Sequence, residues 1–260
     1  MDTAHTVLLG VIEGVTEFLP ISSTGHLLIA EHWLGARSEL FNVGIQAGAM
    51  LAVIGVFWRR LLQLCNLRDA ASRDYLLKLI LAFAVTMAGG LMVKKLGWSL
   101  PVQLMPVALA LLIGGIAILG IEAMVARRAE NSRVSGSAAF WVGACQILAA
   151  VFPGTSRSAA TIFAAMLAGT TQRAAATEFA FLLGVPTMFA ATGYEFLKIP
   201  KQDFAGESWG DFGLGFVVSA VVAFIAVKWL LRYVQSHRFT LFAWYRIIVG
   251  IVLLVIARQS

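Results

Sequence analysis

The sequence predicts an all-α polytopic membrane protein, an inverted repeat in which each half is a re-entrant helical hairpin plus three transmembrane helices. Three observations predict it. The 260 residues are 59% hydrophobic and only 13% charged, with a mean hydropathy of +0.83, against roughly 45–50% apolar and about 25% charged in soluble domains. Six apolar runs are long enough to cross a bilayer, at roughly 20 residues per span. Two further apolar stretches are broken in mid-run by a proline followed by hydroxyl residues.

Composition leaves no room for a soluble domain, and it excludes disorder, coiled coil and a disulfide scaffold. Cys65 and Cys145 are too few for a disulfide framework. The net charge of +6 reads as loop Lys and Arg under the positive-inside rule rather than as a nucleic-acid surface. The first residues lack a basic segment and a small-residue cleavage site, so no signal peptide is expected.

The elements follow in order. The first interrupted stretch covers 4–34 and carries FLPISSTG; the second covers 137–170 and carries FPGTSRS. Neither side of either break is long enough to span, so each reads as a hairpin that leaves the membrane on the side it entered. Irregular backbone at that depth is tolerated only where it is buried in protein or lines a cavity. Spans are expected at about 40–58, 76–96 and 102–126, then at about 175–199, 212–233 and 239–257. Aligning Pro20 with Pro153 pairs Glu13 with Gln146, Ser22 with Thr155 and Ser23 with Ser156, at an offset of 133. The chain thus reads as one integral membrane domain, 1–260, with repeats at about 1–130 and 134–260. Three spans per copy are odd in number, so the copies sit in opposite orientations. With 59–78 in the cytoplasm, twelve Lys and Arg fall inside and six outside, Lys201 among the latter. That bias puts both termini, Ser260 included, outside.

Ionisable residues in apolar segments mark function by default, and they cluster at the two breaks. Glu13 and Glu17 share a helix face at i,i+4. Two carboxylates that close need a positive charge between them, either a divalent cation (Mg²⁺ or Ca²⁺, which prefer oxygen ligands) or a cationic side chain. Ser22, Ser23, Thr24 and Gly25 form a hydroxyl-rich turn before a helix, where free backbone N–H groups make an anion site. His26 adds a group for proton transfer or nucleophilic attack. In the second break Thr155, Ser156 and Ser158 flank Arg157, whose planar fork suits phosphate; pairing only with Glu13 or Glu17 is the alternative. Together these residues are equipment for phosphoryl transfer to or from a lipid phosphate head. Gln46 and Gln146 are candidates for the same cavity. Glu178 reads equally as a helix-packing contact or a site residue, and Glu122, Glu195 and Arg246 read as snorkelling side chains. Gly44 and Gly48 form a small-xxx-small spacing for helix packing or dimerisation.

These segments resemble the bacterial undecaprenyl-diphosphate phosphatase family, also called bacitracin-resistance proteins. The matching motifs are GVIEGVTEFLPISSTGHLLI (10–29), FNVGIQAGAMLAV (41–53), PGTSRSAATI (153–162) and ATEFAFLLGVPTM (176–188), and the resemblance covers essentially the whole chain. Ala159 departs from the family's usual Gly after SRS. The resemblance implies removal of the terminal phosphate from undecaprenyl diphosphate, which recycles the lipid carrier of cell-wall synthesis and confers bacitracin resistance. It implies an inner-membrane protein with a periplasm-facing site and a divalent cation, and it places the essential residues on Glu13, Glu17, Ser23, His26 and Arg157. Ser23, His26 and water remain open as nucleophile, and a homodimer remains open as the oligomeric state. The chain lacks the Lys…Arg-Pro element of the other membrane lipid-phosphatase family. The rival reading is a lipid-phosphate or proton-coupled anion transporter, since inverted repeats with broken helices also build transporters.

Overall fold

The computed structural model describes residues 3–97, 103–200, 204 and 206–258; Lys201 and Ser260, which entered the charge count and the termini above, lie outside them. In an apolar solvent every backbone polar group must be satisfied within the chain, and the described residues meet this with helices and no strands. Two short helices come first, α1 (Thr3–Thr16) and α2 (Ser23–Leu34). Three long ones follow: α3 (Glu39–Leu64), α4 (Ala70–Lys95) and α5 (Leu104–Val125). The order then recurs, with α6 (Gly136–Val151) and α7 (Arg157–Leu167) short, and α8 (Arg173–Lys198), α9 (Trp209–Ser236) and α10 (Thr240–Ala257) long.

The six long helices are apolar enough to cross a membrane. At 1.5 Å per residue, the 26 residues of α3 reach about 39 Å, beyond the ~30 Å hydrocarbon core. The 11 to 16 residues of α1, α2, α6 and α7 fall short of it. Several helices overrun the apolar runs that mark them. Helix α3 passes Arg59 and Arg60 to Leu64 because Leu64 is buried and Arg60 Nε bonds Glu178 Oε1 at 2.9 Å on α8. Glu178 is therefore a helix-packing ion pair. Side-chain caps set several of the starts: Ser38 accepts from the Phe41 N–H, Asp69 from Ser72 and Ser135 from Ala138.

Small residues let backbones approach. A Cβ on Gly10 would lie 2.9 Å from the Gly215 carbonyl oxygen, and one on Gly14 2.7 Å from that of Ser219. On an adjoining face of α9, a Cβ on Gly44 would strike the Phe212 ring, and one on Gly48 would lie 2.4 Å from the Phe216 carbonyl. Helices α1 and α3 thus clasp α9 through two small-xxx-small stripes, and Gly44 and Gly48 are spent on packing inside the chain rather than between copies. Ser219 Oγ adds a hydrogen bond to the Ile45 carbonyl at 2.7 Å. In the second half, α6 meets α4 at Gly143, where a Cβ would lie 2.4 Å from the Ala82 carbonyl. Helix α10 runs along α5, with Gly115 and Gly250 at the crossing.

Two residues expected to snorkel do not. Glu122 is buried; it accepts from Arg173 Nε at 2.9 Å and Nη2 at 2.5 Å and from the Phe239 N–H at 2.9 Å, joining α5, α8 and the start of α10. Arg246 is fully buried in the middle of the protein. Both side chains point inward because their partners are protein groups at the same depth, and such partners are what a charge inside a membrane requires. Glu195 is exposed, as expected near a helix end.

Candidate active site

Each short pair is joined by a turn, 17–22 in the first and 152–156 in the second. Pro20 and Pro153 have no N–H to continue a helix. Ser22 and Ser156 then cap α2 and α7, accepting from the Gly25 N–H at 3.4 Å and the Ala159 N–H at 3.3 Å. These two serines are the only non-glycine residues at positive φ among the described residues, at 77° and 60°. Such a conformation costs about 1–3 kcal/mol and collects at functional sites. The caps lie 134 positions apart, not 133. Between proline and cap the first turn has Ile21 alone, whereas the second has Gly154, at φ 87°, and Thr155. The residue matching Ser23 at the first position of the following helix is therefore Arg157, not Ser156.

The turns are tied to each other. Ser158 Oγ donates to the Leu19 carbonyl at 3.0 Å, and so takes its remaining contact, with Ser156 Oγ at 3.0 Å, as acceptor. Arg246 reaches both turns from α10. Its Nη1 donates to the Pro20 carbonyl at 3.2 Å and its Nη2 to that of Gly154 at 3.2 Å, while Ala110 and Leu111 carbonyls on α5 accept its remaining bonds. Gly114 leaves room for this, since a Cβ there would lie 2.2 Å from Nη2. No carboxylate lies within ion-pair reach of Arg246 among the described residues, so its positive charge stands uncompensated beside both turns.

Glu17 is the centre of the cluster. Its backbone N–H bonds the Glu13 carbonyl at 2.9 Å, so the two carboxylates stay stacked past the end of α1. Oε1 accepts from Arg157 Nη2 at 2.9 Å and Oε2 from Ser23 Oγ at 2.5 Å. One carboxylate thus receives the first residue of α2 and the first residue of α7. Arg157 lies against α8 at Gly184, where a Cβ would come 2.4 Å from Nη1. Pro186 removes the N–H that would serve the Leu182 carbonyl in this same turn of α8. Phe18 packs edge-on to Phe181 with centroids 5.3 Å apart, which walls the cluster with apolar rings.

Glu13 is fully buried and neither of its carboxylate oxygens has a hydrogen-bond partner. A buried carboxylate in that state is costly unless a cation or a proton meets it. Hard cations suit such oxygens, and Mg²⁺ in particular binds through one or two carboxylates plus substrate phosphates. No cluster of three or more His, Cys, Asp or Glu forms among the described residues; a cation here would rest on Glu13 and Glu17 and complete its shell with water or substrate oxygen.

His26 makes no hydrogen bond to Glu17 or Arg157. Its Nδ1 lies 2.7 Å from the Ser22 carbonyl and its Nε2 2.7 Å from the Tyr245 hydroxyl. Beside it opens an apolar groove of about 490 Å³ between α1 and α2, lined by Leu8, Val11, Ile12 and Trp33 and ending at His26 and Tyr245.

The remaining sequence candidates divide. The Ser22, Ser156 and Ser158 hydroxyls are committed to caps and the junction between turns. Gly25 is buried, with its Cβ position 3.1 Å from Val107 Cγ1. Thr24 is exposed and Thr155 half-buried in the second turn. Gln146 is buried with Oε1 unpartnered, like Glu13. Gln46 accepts from Thr192 on α8 at 3.3 Å, away from any hydrogen bond to the cluster. Sequence reasoning missed Arg246 and Tyr245; an arginine seven residues into an apolar run was the available signal.

Residues 6–252 match the family model described as bacitracin resistance protein BacA. The chain belongs to this family. It is similar over nearly its whole length to proteins named undecaprenyl-diphosphatase. The Rhizobium johnstonii protein is 60% identical over 256 residues, 98% of this chain and 97% of its own. That of Stenotrophomonas maltophilia is 57% identical over 255 residues, 97% of each chain. That of Xanthomonas axonopodis pv. citri is 52% identical, covering 97% of this chain and 96% of its own.

Proposed function

We infer that this chain is an undecaprenyl-diphosphatase, releasing inorganic phosphate and undecaprenyl phosphate, and that the reaction occurs where the two turns meet. The activity rests on full-length identity with the relatives. The site rests on one observation: Glu17 accepts from Ser23 and from Arg157, which start different helices.

Phosphoryl transfer asks mainly for positioning and charge. Arg157 and the first N–H groups of α2 and α7, which have no intrahelical acceptor, hold the diphosphate, and the Arg246 charge adds to the field. Ser23 Oγ attacks the terminal phosphorus in line as its proton passes to Glu17. The bond to the bridging oxygen breaks and its electron pair leaves with undecaprenyl phosphate. Water then attacks the phosphoserine as His26 draws off its proton; the Oγ–P bond breaks, inorganic phosphate leaves, and Ser23 Oγ recovers its proton from Glu17. Glu13 and Glu17 would hold a divalent cation, whose chemistry is neutralisation of phosphate charge. The apolar groove beside His26 seats the isoprenoid chain.

The recurring order of elements supports a two-copy architecture, about 1–130 and 134–260, with the copies inverted and each short pair re-entrant. The Lys and Arg distribution supports both termini outside and a site open to the periplasm of the inner membrane.

The test is phosphate release from a polyprenyl diphosphate by protein in detergent, where no gradient exists. Release that stops with EDTA and returns with Mg²⁺ or Ca²⁺ is expected. Well-folded protein without release would favour the transport reading.

A further inference from the structure

Ser22, His26, Tyr245 and Arg246 form a connected set that the reaction above leaves partly unused. A backbone carbonyl only accepts, so the 2.7 Å contact of His26 Nδ1 with the Ser22 carbonyl puts the proton of the neutral ring on Nδ1. Nε2 is then bare, and the Tyr245 hydroxyl 2.7 Å away donates to it. The phenol also lies nearly parallel to the imidazole, at 11° with centroids 5.6 Å apart. The next residue along α10, Arg246, grips the carbonyls of Pro20 and Gly154. Consecutive side chains of one helix therefore fix the histidine and both turns, and α10 is itself held along α5 by close packing at Gly115 and Gly250.

We propose that Tyr245 is a positioning residue for the phosphatase reaction: its hydroxyl fixes the ring and tautomer of His26 and fills the one lone pair of Nε2, so that a proton taken from water reaches Nε2 through the phenol oxygen. This rests on the phosphatase reading. An imidazole held at one nitrogen only can rotate about its bond to the chain and exchange tautomers. Held at both, it keeps one tautomer and one orientation, with Nε2 reached through the Tyr245 hydroxyl. The same hydroxyl can accept from Nε2 once the ring is protonated, because a phenol is both donor and acceptor, so it serves both states of the cycle.

The bland role for Tyr245 is to line the apolar groove. Tyr245→Phe separates the two, because phenylalanine keeps the ring and removes only the hydroxyl. The expected result is a fall in kcat of roughly tenfold or more, part of the ~10²–10⁴ that a positioned acid–base group supplies, with KM for a polyprenyl diphosphate within about twofold. In ¹⁵N-histidine spectra of the protein in detergent, the His26 signal should pass from a single Nδ1–H tautomer to an exchanging mixture. A kcat like that of the parent, or an unchanged single tautomer, overturns the proposal. His26→Ala, assayed alongside, keeps the two failures distinct. If it retains turnover, His26 is not a group of the reaction. If it is inactive while Tyr245→Phe is normal, only the role of Tyr245 fails.

Discussion

The two turns share a backbone plan and divide the chemistry. Each has a proline, a serine cap at positive φ and a helix that starts on the next residue. In the first, that next residue is Ser23, and the helix before it carries Glu13 and Glu17. In the second it is Arg157, and the preceding helix carries Gln146 where the first has Glu13. The acidic and nucleophilic groups lie on one side and the cation on the other, and they meet at Glu17. A site split this way is assembled only when both halves are folded. It also relieves a problem that neither half could solve alone, since two stacked carboxylates and a half-buried guanidinium are each costly in an apolar setting.

Breaking either side should cost most. Arg157→Ala and Glu17→Ala should each lower phosphate release by about three orders of magnitude, the scale of a lost charge-stabilising group. Turnover within tenfold of the parent in either variant would dissociate the cluster from the reaction. Arg246→Met comes next. It keeps the volume but leaves the carbonyls of both turns without a donor, at about 1–3 kcal/mol for each unsatisfied buried group. The thermal midpoint in detergent should drop clearly and activity should fall with it; an unchanged midpoint would mean that the turns hold without it. Ser158→Ala removes the bonds to the Leu19 carbonyl and to Ser156 Oγ and should cost about 1–2 kcal/mol, read as a smaller midpoint shift.

The smallest effect sharpens the comparison of the caps. Ser22→Gly and Ser156→Gly lose a cap but gain a residue at ease with positive φ, so each should stay within a few tenths of a kcal/mol of the parent. Valine at the same two positions should cost about 2 kcal/mol or more. Equal midpoints for glycine and valine variants would show that the φ values place no demand on the sequence.

Much of this arrangement is legible in the amino acids. Long apolar runs announce the six long helices, because nothing but a helix can carry 20 apolar residues through lipid. The prolines and hydroxyls of FLPISSTG and FPGTSRS announce the breaks. Glu13, Glu17, Ser23 and Arg157 stand out because charge in such places needs a reason. Other features are set by what lies across the interface. Arg246 could equally have reached for the surface; only the turns facing it make burial favourable. The register between the turns slips by one when it is keyed on proline, since the second turn has one more residue between proline and cap, which shows itself only as a cap one residue later. Gly44 and Gly48 announce close packing without naming α9 as the partner. Helix α3 overruns its apolar run because Glu178 on α8 receives the charge of Arg60.

The central claim is that Ser23 and Arg157, from different turns, act as one unit on Glu17. A double-mutant cycle in kcat/KM with Ser23→Ala and Arg157→Lys tests it most directly, because groups that act together lose their effect together. The account predicts that the double variant is about as impaired as the worse single variant. A double variant whose loss equals the product of the two single losses would contradict it.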